Sequence, residues 1–239
     1  MLVSLLDQDH ATEIHTQPEL MLRRADKPGD QNSGAAVFPG GLLDKADAGH
    51  HELCSGLDDP TASARLGLPS GGLAYWFAAM RECFEEAGLL LAAARDLPQP
   101  GAEPLARIAA ERDALNRRES SMAQICTRHG IRLAADRVAY LDHWLTPPGV
   151  PKRFDTRFFC ALAPHGQIAS ADQGEALELM WLTPAAALDP ARELKLLPVT
   201  RQTLQQLSRF DQAKAAWQAA AAQRDIALVM PRSEERRVG

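Results

Sequence analysis

The sequence predicts an α/β domain, and three observations carry the prediction. Residues 72–87 pattern as one amphipathic helix closed by Gly88. Strand-length apolar runs stand on both sides of it. A chain of 239 residues, 46% of them hydrophobic, is long enough to bury one sizeable core. The expected organisation is a single domain over 1–222, with insertions at 42–70 and 97–135, and a C-terminal tail at 223–239.

In chain order, "MLVSLLDQ" and "LMLRRAD" read as two strands around the polar turn "DHATEIHTQPE", a first hairpin. "KPGDQNSG" is a loop, and "AAVFPGG" a short strand entering a Pro-Gly-Gly turn. Residues 42–70 are mixed and polar, which predicts an insertion or a flexible lid. "LLLAA" follows the 72–87 helix as a strand or a helix–strand corner. After "QPGAEP" come two helices, at 103–116 and 119–129, then the strands "RVAYLDHWL", "RFDTRFFCALA" and "ALELMWL". In "WLTPAAAL", Thr183 is the expected N-cap and Pro184 the first helical residue. A last helix is expected from about Thr200 through "AKAAWQAAAAQ", and the charged, aperiodic "RSEERRVG" is expected to fray.

Composition narrows the partners. A net charge of -5 and a pI near 5.8 argue against a sequence-independent grip on nucleic acid. Cys54, Cys83, Cys126 and Cys160 lie far apart with no C-x-x-C pair, which suits a reducing compartment. No run approaches the ~18 apolar residues of a membrane span, and "MLVSLL" lacks the basic flank of a signal peptide. A cytoplasmic location is expected, with no membrane partner. A homodimer stands open beside a monomer.

The chemistry concentrates on the 72–87 helix. At ~100° per residue, Leu73, Trp76, Phe77, Met80, Phe84 and Ala87 fall on one arc, the core-facing stripe. Glu82, Glu85 and Glu86 fall opposite, with Arg81 at the edge of their arc. A solvated helix face is one reading. Against it, carboxylates three and four apart repel by ~0.2–0.5 kcal/mol per pair. Acids in a last turn also oppose the helix dipole by ~0.3–1 kcal/mol each when exposed. The second reading is therefore a bound cation, with Mg²⁺ or Mn²⁺ suited to oxygen ligands and phosphate.

"RECFEEAGL" resembles the R-E-U-x-E-E-x-G-U core of the Nudix box at every specified position, with Cys83 at an apolar U. The upstream "FPGG" adds to the likeness. The resemblance implies an α/β/α sandwich with a mixed sheet, and hydrolysis of a nucleoside diphosphate linked to another group. It implies that Glu82, Glu85 and Glu86 hold Mg²⁺ or Mn²⁺. One of these glutamates, or a water they hold, would be the base, and Arg81 would orient a glutamate. The implied catalytic set is Arg81, Glu82 and Glu85.

Two departures accompany the match. Gly41 stands 40 positions before Arg81, where the box spaces them by 14, so about 26 residues are inserted. Leu73 occupies the register of the first box glutamate, and Asp44, Asp47 or Glu52 could replace it.

"FPGGLLDKAD", "RFDTRFF" and "WLTP" resemble the branch containing the peroxisomal acyl-coenzyme A diphosphatase of animals and its bacterial relatives, over about residues 19–209. That likeness implies a coenzyme A-like substrate, cleaved to 3′,5′-ADP and 4′-phosphopantetheine. "LMLRRAD" loosely echoes a coenzyme A signature, and the closing "RVG" is not a peroxisomal tripeptide. The alternatives are hydrolysis of ADP-ribose or another nucleoside diphosphate derivative, and a Nudix-fold module that binds a nucleotide without cleaving it.

Secondary candidates are weighed on their residue types. Gly40 and Gly41 would let backbone approach the metal and substrate. Arg153, Asp155 and Arg157 alternate along a strand, either as a solvated face or with Arg157 contacting phosphate. "HHELC" (His50, His51, Glu52, Cys54) lacks a second ligand pair for zinc, and His143 reads as structural.

Overall fold

The computed structural model describes residues 2–5, 19–26, 32–93, 102–149, 152–223 and 225–231. The expected "DHATEIHTQPE" turn, most of the "KPGDQNSG" loop, part of "QPGAEP" and the "RSEERRVG" tail lie outside them.

Among the described residues seven strands form one mixed sheet: β1 (Leu2–Leu5), β2 (Glu19–Arg24), β3 (Ala36–Val37), β4 (Val138–Leu145), β5 (Asp155–Leu162), β6 (Ala176–Leu182) and β7 (Leu228–Val229). The main path runs β3-β2-β1-β5-β4-β7, and β6 pairs the other edge of β2. The β1–β5 and β4–β7 pairs are parallel and the others antiparallel. The first hairpin therefore exists as an antiparallel β1–β2 pair.

Helices cover both faces. Along β5, alternation sends Phe159 and Ala161 to one core and Phe158 and Cys160 to the other. The first core is closed by α1 (Asp59–Leu66), α2 (Leu73–Ala87), α3 (Ala102–Ala109), α4 (Arg112–Asn116) and α5 (Met122–His129). The second is closed by α6 (Pro184–Leu188), α7 (Pro198–Leu207) and α8 (Ala213–Ala222). This is the expected α/β fold, with helices on both faces of a mixed sheet.

The stripe read from α2 is the stripe that is buried: Leu73, Trp76, Phe77, Met80, Phe84 and Ala87 are all in the first core. Trp76 anchors it. Its ring meets Phe159 edge-on at 4.8 Å, and its indole N–H donates to the Val138 carbonyl at 2.8 Å. Trp76→Ala removes the ring and that hydrogen bond, so a loss of ~3–5 kcal/mol is expected in chemical unfolding.

Several elements differ from their sequence reading. The 103–116 helix is split into α3 and α4 at Ala110 and Glu111, where Glu111 pairs with Arg128 and His129 of α5. The 119–129 helix starts only at Met122, because Ser121 caps it in a capping box with Gln124. "LLLAA" is no strand; it is buried backbone with one bridge, Ala92 to Leu133. The long final helix is two helices, since α7 ends before Phe210 packs into the second core and α8 then buries Ala213, Ala216 and Ala220. Leu228–Val229, assigned to the tail, adds β7 to the sheet edge. Residues 42–70 hold two 3-10 turns and α1, and bury Cys54, Ala62 and Leu66.

Candidate active site

The helix carrying the glutamates is held at both ends by residues distant in sequence. Its N-cap, Gly72, offers no side chain. Asp59 of α1 supplies the cap instead, accepting from Leu73 N–H and Gly71 N–H at 2.9 Å each. Those amides hold the Asp59 carboxyl below the usual carboxylate range. Gly72 N–H donates to Ser63 Oγ at 2.8 Å, and a Cβ on Gly72 would fall 2.4 Å from the Ser63 backbone nitrogen.

At the other end Gly88 closes α2 in the left-handed region (φ 70°). Arg112 of α4 donates from Nε to the Glu85 carbonyl at 2.9 Å, and Ser170 N–H donates to the Ala87 carbonyl at 2.9 Å. A cation thus meets the negative end of the helix, which offsets part of the penalty expected there.

The acidic face is likewise not solvated. The Arg81 guanidinium lies 12% exposed between the glutamates and Asp47, whose side chain is 1% exposed. Arg81 Nε and Nη2 bind Asp47 Oδ1 and Oδ2 at 2.7 and 3.0 Å. Nη1 reaches Glu82 Oε1 at 2.7 Å and Glu85 Oε2 at 2.9 Å, and Nη2 also donates to the Leu42 carbonyl at 3.1 Å. Burial alone would weaken the charge on Arg81, but the Asp47 bond and the surrounding carboxylates outweigh it and raise its pKa. Burial raises Glu82 and Glu85 as well, with Arg81 pulling the other way.

Glu86 stands apart. It is buried, and it accepts from the Gly40 N–H at 2.6 Å. Among the described residues no ion pair reaches it. Burial pushes its carboxyl up to about 8; the Gly40 amide opposes this, while the charges of Glu82, Glu175 and Asp172 add to it.

The Pro-Gly-Gly turn is fitted to these acids. Gly40 adopts φ 147°, where side chains are strained, and presents its amide to Glu86. A Cβ on Gly41 would lie 2.6 Å from both Glu82 carboxylate oxygens. Arg81, Glu82, Glu85, Glu86, Gly40 and Gly41 are therefore one cluster.

This geometry meets a sequence comparison that decides the family: residues 57–209 match the NUDT19 Nudix domain. This chain belongs to that Nudix family. It is 29% identical over 231 residues to the acyl-coenzyme A diphosphatase NUDT19 of Gallus gallus, covering 80% of this chain and 61% of that protein. The human protein of the same name is 28% identical, covering 80% of this chain and 60% of its own length. The chain thus spans about 60% of the length of these relatives. Its fold is like that of a Nudix hydrolase from Alicyclobacillus acidocaldarius, with a TM-score of 0.66 at 24% identity, covering 91% of this chain and 94% of that one.

The glutamates have separate partners: Glu82 and Glu85 turn to Arg81, and Glu86 to Gly40. Among the described residues no three acid, histidine or cysteine side chains form a ready ligand set. Arg157 sits beside the N-terminal half of α2. It is buried, stacks over Tyr75 at 4.6 Å and pairs with Asp155 at 3.1 Å. Tyr75 lies six residues before Arg81 on α2, ~9 Å along the axis. Arg153 lies outside β5 and donates to the Thr146 carbonyl. His143 pairs with Asp155, and His50 reaches the Ala46 carbonyl beside the Phe77 ring. Sequence reasoning missed Asp59 and Arg112 altogether, because their partners lie 14 and 27 residues away.

Proposed function

We propose that this chain hydrolyses the diphosphate linkage of a nucleoside diphosphate derivative, with coenzyme A or an acyl-coenzyme A as the favoured substrate. The observation carrying this reading is the intact Arg81, Glu82, Glu85, Glu86 set folded against Gly40 and Gly41. The donor type suits Mg²⁺ or Mn²⁺: all three candidate ligands are carboxylates, and buried Glu86 has no cation of its own among the described residues. What supports coenzyme A is the likeness to the avian and human acyl-coenzyme A diphosphatases.

A bound divalent ion neutralises diphosphate oxygens and lowers the pKa of an attacking water. The protein's own groups do the rest. Glu86 and Glu82 hold their positions through the Pro-Gly-Gly turn, so the backbone there packs on the carboxylates without a side chain between. Arg81 orients Glu82 and Glu85 and favours their charged forms against the burial that raises both. A glutamate released from Arg81 can take the proton of an incoming water.

Incubation with coenzyme A, ADP-ribose and NADH, with and without Mg²⁺ or Mn²⁺, tests the reading. The expected result is metal-dependent release of 3′,5′-ADP from coenzyme A, faster than cleavage of the other two. Faster cleavage of ADP-ribose or NADH overturns the substrate. Binding with no product from any of them makes the chain a nucleotide-binding module, the reading that Leu73 in place of a box glutamate favours.

A further inference from the structure

Three acids of the inserted segment, Asp44, Asp47 and Glu52, are equivalent candidates in the sequence for the place left by Leu73, and the structure separates them. Glu52 is exposed. Asp44 is 45% exposed on its side chain, caps a 3-10 turn and faces Arg118 at 3.5 Å. Asp47 alone is buried against Arg81, and both of its oxygens are used.

We propose that Asp47 is a positioning residue of the active site: it fixes the Arg81 guanidinium, and through it the Glu82 and Glu85 carboxylates. The inference rests on the hydrolase reading above and adds the 42–70 segment to its machinery.

The hydrogen-bond inventory of Arg81 carries the argument. A guanidinium has five N–H donors in one plane. Here they match five acceptors: Asp47 Oδ1 on Nε, Asp47 Oδ2 and the Leu42 carbonyl on Nη2, Glu82 and Glu85 on Nη1. Asp47 takes the two donors on one side of the fork, so the plane cannot turn without breaking a bidentate pair. Nη1 is thereby aimed at the two glutamates.

Asp47 is itself locked. Its Oδ2 accepts from Asp44 N–H at 2.8 Å, and Asp44 Oδ1 accepts from Ala46 N–H at 2.9 Å, a reciprocal capping box. The chain of constraint runs from a capped turn to Asp47, to Arg81, to Glu82 and Glu85.

Charge makes the link functional rather than only structural. The two Asp47 oxygens satisfy two Arg81 donors without help from the glutamates. An asparagine can offer only one oxygen, and its own N–H groups face those of Arg81. The positive charge then falls on Glu82 and Glu85 alone and competes with a metal for them.

Asp47→Asn is therefore expected to keep its fold by circular dichroism and its KM for coenzyme A within about threefold. Its kcat, or its Mn²⁺ affinity by calorimetry, should fall about 10–100-fold, the usual effect of removing an outer partner of a metal ligand. Glu52→Gln should match the wild type in both. Exchange of the Arg81 Nε–H, followed by NMR, reads the fork with no metal or substrate present and should accelerate in Asp47→Asn. Unchanged exchange in that variant overturns the proposal, as does wild-type kcat together with wild-type Mn²⁺ affinity. If Asp47→Asn does not fold, Arg81→Lys tests the fork from the other side: the charge stays and the fork is lost. The same fall in kcat supports the proposal, and full activity overturns it. A wild-type chain with neither metal uptake nor turnover sinks the hydrolase reading instead, and the Nε–H exchange still decides the role of Asp47 in holding Arg81.

Discussion

Glu86→Gln is expected to lower metal-dependent turnover by about 10²–10⁴-fold while leaving the fold intact. The carboxylate is buried and accepts from the Gly40 amide, a bond that a glutamine oxygen can also accept. Loss of the negative charge removes a candidate metal ligand, and the Gly40 amide keeps an acceptor. The same substitution should change the pH dependence of stability. Burial raises the Glu86 pKa from 4.5 to about 8, so between those values the folded, metal-free chain binds more protons than the unfolded one. Stability from this group is complete below pH 4.5 and is lost as pH rises through about 8. Glu82 and Glu85 are raised as well and act in the same direction. In EDTA, the variant should therefore gain melting temperature over the wild type as pH goes from 5 to 8. Added Mn²⁺ should raise the wild type more than the variant. Undiminished turnover by Glu86→Gln removes the residue from the site, and a pH-independent difference in melting temperature removes the buried, neutral glutamate.

Gly41→Ala should separate activity from stability. The added methyl would sit 2.6 Å from both oxygens of the Glu82 carboxylate, too close to remain. What must move is the far end of a flexible side chain, so little stability is at stake. Gly41 is not in the left-handed region, which leaves the backbone unstrained by alanine. Glu82, however, is displaced from the position that Arg81 gives it, and a shift of ~1 Å near reacting groups costs about 10²-fold in rate. The expected outcome is a thermal midpoint close to wild type with turnover reduced about a hundredfold. A variant that keeps its rate would show that Glu82 works from another position.

What was legible in the sequence was local. The α2 stripe, its glycine stop at Gly88, and the Thr183-Pro184 helix start all follow from contacts within a few residues, and all stand in the structure. The charge penalty on Glu82, Glu85 and Glu86 was also legible, but not its relief. Arg81 and Arg112 provide two cations inside the protein, and only folding brings Arg112 and Asp47 to the helix. The α7–α8 break was hidden for a related reason: the alanine-rich run 213–222 has high helix propensity, and the pull of Phe210 into the second core is tertiary. Arg157 shows the opposite limit. Alternation places it on one face with Asp155, with which it pairs, but its stacking over Tyr75 of α2 is tertiary.

The segment between the glycine pair and the α2 helix touches that helix through Asp59 at its first turn and Asp47 near its third. An ancestor or a designer that trimmed residues 45–70 to restore the shorter spacing would strip off both anchors in one cut. Recovery would need a polar cap at position 72 and an acid at position 73 to arrive together. Length here is a ratchet: easy to acquire, and hard to give back one mutation at a time.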